Sequence, residues 1–145
     1  MRRLRERASA VFLAALLLAG CERDGARVQK RARLPIGNLD TPTTSTLELS
    51  GDSPLTLSGW AVSEDGIAEI DVFVDRGLVR SSGALLGRPD VGSAYPAIPG
   101  SARSGFQVVL DSREMGAGAH EVVLQVRTAR GAVRELGRLT VVVPR

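Results

Sequence analysis

The sequence predicts an all-β fold, an antiparallel β-sandwich of about seven strands. Three observations predict it. From about Thr46 onward, short β-branched and apolar runs alternate with clusters of Gly, Pro, Asp and Ser. Several of those runs alternate apolar and polar residues with a period of two, as a strand buried on one face must. No long stretch of this region has a helical period, and Arg113–Gly118 has room for one helical turn at most.

The elements before the sandwich come first. Residues 1–9 carry Arg2, Arg3, Arg5 and Arg7, and residues 10–20 run without a charge. A basic segment leading into a short apolar one has the form of a secretory signal peptide, expected over residues 1–20. Eleven apolar residues are too few to span a bilayer, which takes about 20. Leu18-Ala19-Gly20-Cys21 follows directly and resembles the lipobox of bacterial lipoproteins. That resemblance implies cleavage before Cys21 and attachment of lipid to its thiol. The other roles of a cysteine fit poorly. Cys21 is the only one in the chain, so it has no disulfide partner, and with a single histidine it cannot complete a Cys/His zinc set. The expected partner of acylated Cys21 is membrane lipid. Glu22 stands where some lipoproteins kept in the inner membrane have aspartate, which favours the outer membrane.

Removing residues 1–20 changes the charge. The whole chain has 19 basic and 16 acidic residues and a pI of about 10. Without the leader it has 15 of each. Residues 22–33 then hold five basic and two acidic groups, and residues 34–145 hold ten and thirteen. A nucleic-acid partner is therefore not expected. The cationic segment beside the anchor suits anionic headgroups. Residues 21–45, punctuated by Pro35, Gly37 and Pro42, are expected to be the lipidated N-terminus and a flexible tether, with the folded domain over residues 46–145.

The strand candidates follow in order: 46–51, 55–62, 67–75, 78–82, 105–111, 120–129 and 132–143. In the third, Ile70, Val72 and Val74 are expected inside, with Glu69 and Asp71 outside. In the sixth, Val122, Leu124 and Val126 face in, and in the seventh Leu139, Val141 and Val143 align. The second changes parity. Leu55 and Leu57 lie on one side, Trp60 and Val62 on the other, so a β-bulge at Ser58-Gly59 is expected to bring both pairs into the core. Trp60 would then be a core residue, costing about 3–5 kcal/mol when cut to alanine. Turns are expected at Glu64-Asp65-Gly66, Asp75-Arg76-Gly77 and Arg130-Gly131.

The order of Gly59-Trp60-Ala61, Arg88-Pro89-Asp90-Val91, Ser104-Gly105-Phe106 and Gly118-Ala119-His120 resembles a bacterial immunoglobulin-like module of cell-surface and exported proteins, over roughly residues 45–143. The resemblance implies an immunoglobulin-like sandwich in an extracytoplasmic setting and implies no reaction.

No catalytic residue, metal or cofactor is expected. His120 opens a strand after a Gly-Ala-Gly-Ala turn, and no Gly-x-Ser-x-Gly elbow accompanies it. It is expected to bond loop backbone. The acids lie in turns or on a strand face, without the spacing of a calcium loop. The long connection 83–104 is the candidate binding segment. It carries Arg88, Asp90, Tyr95 and Arg103, residue types that recognise carboxylates, sugars or a protein surface; the alternative, favoured for Arg88 and Asp90, is that these two pair with the scaffold while Pro96 and Pro99 brace an ordered loop. The expected function is a non-catalytic, membrane-anchored envelope lipoprotein that binds or organises an envelope protein or glycan. The alternatives are a small glycan-active envelope hydrolase or its accessory subunit, and a purely structural stalk or assembly factor.

Overall fold

The computed structural model describes residues 31–50 and 52–145; the leader, Cys21 and the lipobox lie outside the described residues. Two sheets face each other across one core. The strands are β1 (Ile36–Thr41), β2 (Thr46–Glu48), β3 (Leu55–Val62), β4 (Ile67–Val74), β5 (Gly77–Ser82), β6 (Gly105–Leu110), β7 (Gly118–Thr128) and β8 (Val133–Val143). Two short helices, α1 (Pro89–Ala94) and α2 (Ser112–Met115), and a 3-10 turn at Ser101–Arg103 complete the chain. The sheets run β1-β3-β6 and β2-β8-β7-β4-β5. Every pairing is antiparallel except that of β2 with β8.

Each expected run contains a strand, and α2 fills the place of the single helical turn. The tether is corrected. It does not extend to residue 45, because residues 36–41 form β1. The alternation there is weak, but pairing with β3 satisfies its backbone and Leu39 packs on the core. After Pro42 the chain crosses to the other sheet and runs parallel to β8 as β2.

The bulge is also corrected. Strand β3 pairs continuously with β6 from Leu55 to Trp60. The extra residue is Asp40 of β1, since Leu39 lies opposite Gly59 and Thr41 opposite Ser58. Parity in β3 is therefore unbroken. Leu55, Leu57, Gly59 and Ala61 face inward, and Trp60 faces out. The aromatic core position belongs to Phe106, 2% exposed. Gly59 makes room for it, because a Cβ there would lie 2.7 Å from Phe106 Cζ and 2.1 Å from the Asn38 carbonyl oxygen.

The inward residues of β4, β7 and β8 are as the period predicts: Ile70, Val72, Val122, Leu124, Val126, Leu139, Val141 and Val143 are buried together. Asp71 departs from expectation. It faces away from this core yet is only 6% exposed, because Ser81 Oγ (2.7 Å) and Arg127 Nη2 (3.0 Å) donate to its carboxylate. The β4–β5 hairpin closes on Asp75 and Arg76, both with positive φ (49° and 72°), the geometry of a type I′ turn.

Candidate functional site

The 83–104 connection is an ordered unit at one end of the sandwich. Leu86 and Gly105 exchange backbone hydrogen bonds (2.7 and 3.0 Å), and Arg88 N–H donates to the Ala102 carbonyl (2.8 Å). The segment thus returns along itself. Pro89 opens α1, where its missing N–H costs no hydrogen bond, and Val91 pins the helix by burial.

Arg88 is the hub. Its Nε and Nη2 donate to the two carboxylate oxygens of Asp90 (2.9 and 2.8 Å), and its Nη1 donates to Asp40 Oδ2 (2.8 Å). Such a two-pronged guanidinium–carboxylate pair fixes direction as well as charge. The Arg88 side chain holds the Asp90 carboxyl down at about 2, chiefly by hydrogen bonding, and Asp90 in turn raises Arg88. The stem of Arg88 lies on Gly105, where an added Cβ would stand 2.8 Å from Cγ. Asn38 supports the far side by donating to Asp40 Oδ1 (2.8 Å).

Tyr95, just past α1, packs on Trp60 with ring centroids 5.5 Å apart and planes tilted by 39°. The structure therefore brings Arg88 and Asp90 together and sets Tyr95 on the aromatic ring that core packing left outside. Arg103 does not join them. It lines a separate pit of about 200 Å³ with Val62, Ile67, Leu85 and Pro99. Sequence reasoning missed Asp40 and the outward position of Trp60. The signal for Trp60 was its parity with Thr56 and Ser58, the partly polar side of β3. For Asp40 there was none, since its role depends on a segment 48 residues away.

His120 stands at the other end. Its Nδ1 meets Asp75 Oδ2 at 2.8 Å and its Nε2 meets the Gly116 carbonyl at 3.1 Å. Asp75 Oδ1 also accepts the Glu121 N–H (3.0 Å), and these bonds lower its carboxyl below the ordinary value, that from His120 most. The ring ties a loop to a hairpin turn. Among the described residues, no three His, Cys, Asp or Glu side chains gather as a metal cage, and no helix is long and apolar enough to cross a membrane.

With this geometry in view, comparison with solved structures identifies the architecture. The chain is similar to fibronectin(III)-like modules of Clostridium thermocellum CbhA, with a TM-score of 0.50 and 18% identity over 77% of this chain and 47% of that one. The fold is an immunoglobulin-like β-sandwich. The chain thus spans about half the length of that relative. An endo-beta-1,4-mannanase from Thermotoga petrophila matches at TM-score 0.46 and 13% identity over 77% of this chain and 20% of that one. A Jonesia denitrificans lytic polysaccharide monooxygenase matches at 0.45 and 14% over 68% and 57%. No protein-family model matches the chain, and no curated protein does. In this immunoglobulin-like frame, the Arg88 clip and the Trp60–Tyr95 pair occupy the outer side of the three-stranded sheet and the crossover beside it.

Proposed function

We propose that this protein is an exported, lipid-anchored envelope protein whose immunoglobulin-like domain binds or organises an envelope partner without catalysing a reaction. The observation that carries the anchor is Leu18-Ala19-Gly20-Cys21 directly behind a basic and then an apolar segment. The chain's reactive side-chain types support the non-catalytic part by their engagements. Arg88 is held by two carboxylates, and His120 braces a turn at the opposite end. A nucleophile, base and orienter must lie within hydrogen-bond reach of one another, and these groups are spent on the scaffold. The half-buried Trp60–Tyr95 pair on the outer side of β3 is recognition chemistry, suited to an envelope glycan or protein surface.

Mass spectrometry of the membrane fraction tests the anchor. The expected N-terminal residue is Cys21 with added acyl mass, and Cys21→Ser should leave the membrane. An unprocessed Met1 terminus would refute the reading. Capture from solubilised envelope on the intact protein, compared with Trp60→Ala/Tyr95→Ala, tests the partner. Loss of one reproducible protein or glycan in the variant is expected; equal capture by both forms would remove the aromatic pair from recognition.

A further inference from the structure

The two ends of the sandwich differ in chemistry. At the near end are the segment 31–36 and the loops 63–66, 98–104 and 129–134, which together hold five arginines and two acids. At the far end the loops 49–54, 75–76 and 111–118 and residues 144–145 hold three arginines and four acids. Of the seven exposed large apolar side chains among the described residues, Leu34 (65%), Val133 (47%) and Ile36 (41%) lie at the near end and Leu86 (50%) on the crossover beside it, while Leu78, Val79 and Val109 lie on the strands of the far half. Apolar side chains among arginines suit a bilayer surface, where the former enter the headgroup boundary and the latter meet phosphates.

The same end receives the chain from its N-terminal side. Arg33 N–H donates to Asp65 Oδ2 (2.7 Å), its guanidinium pairs with Glu64, and Arg134 Nη1 donates to the Pro35 carbonyl (3.0 Å). These bonds fix the entry point beside the β3–β4 turn. Eleven residues lie between Cys21 and Arg33, and a flexible linker of that length would span roughly 20 Å. Within that reach, Arg31 and Arg103 form no ion pair among the described residues, and Arg103 lines the apolar pit.

We infer that the near end is a docking face for an anionic phospholipid bilayer, so that the domain sits with the β3–β4 turn on the headgroups and the β4–β5 hairpin pointing away. Its orientation rests on the lipid-anchor reading. Arg31 and Arg103 attract phosphate, and Leu34, Ile36 and Val133 enter the boundary.

The test uses the lipidated full-length protein in phosphatidylcholine vesicles with and without phosphatidylglycerol, with nitroxide on the lipid headgroups as quencher. A fluorophore on Leu34→Cys or Val133→Cys reports the near end, and one on Arg76→Cys the far end. Stronger quenching at the near end on anionic vesicles is expected, and Arg31→Glu/Arg103→Glu should reduce the docked population about fivefold or more for each arginine. Equal quenching at both ends, or a contrast unchanged in the double variant, would overturn the docking face while acyl mass on Cys21 keeps the anchor. Absence of acyl mass removes both.

Discussion

Gly59 and Phe106 decide what Trp60 can be. The ring of Phe106 takes the space that Gly59 leaves open, and Trp60, the next residue, is turned to the outer face under Tyr95. Phe106→Ala should therefore cost about 3–5 kcal/mol in urea unfolding, the range for a core aromatic. Trp60→Ala should cost less, about 1–2 kcal/mol, a stacking contribution together with partial burial. A larger loss for Trp60 than for Phe106 would contradict this packing. The residue-scale clip between Arg88 and Asp90 has a pH signature. The Asp90 carboxyl is held near 2 against an ordinary 3.8, so its stabilisation is full above the ordinary value and is lost as pH falls toward 2. Asp90→Asn should lower the urea midpoint at pH 7, with the gap to wild type closing between about pH 4 and pH 2. A gap that widens on acidification would refute the pairing. The sequence marked Arg88 and Asp90 as candidate scaffold-pairing residues of one segment, without naming each as the other's partner. It carried no sign of Asp40, because that partner is the extra residue of a bulge in another strand.

At the scale of elements, the seven runs were legible because a half-buried strand must alternate; the end of β8 does so in burial too, whereas in β4 and β7 Asp71 and Val123 are buried between the inward residues as well. β1 was not legible. Its IGNLDT holds one core-packing residue, Leu39, and its order comes from hydrogen bonds to β3 rather than from a pattern of its own. Two versions of the chain separate the structure from the tether expectation. Removal of residues 22–30 should leave thermal stability unchanged, while removal of residues 31–45 should lower it. The second loses the β1 ladder, the Asp40 arm of the clip and the Arg33 contacts with the β3–β4 turn. Equal melting temperatures would return residues 36–41 to the tether.

At the scale of the whole molecule, both sheets share one contiguous core. Far-ultraviolet circular dichroism and Trp60 fluorescence should therefore report a single coincident unfolding transition. Separate midpoints would mean that the Trp60–Tyr95 face and the crossover open independently of the core. The sequence by itself determined the all-β class, the inward faces of the long strands, the turn positions and the expectation of a lipid at Cys21. These follow from local rules: period two, turn residues and a short motif. Tertiary structure alone decided that residues 36–41 form a strand of one sheet before β2 joins the other, that Asp40 joins Arg88, that Trp60 lies outside and Phe106 inside, and that one end gathers arginines with exposed apolar side chains. Each depends on residues far apart in the chain meeting across a sheet or at the end of one, and no local pattern encodes such a meeting.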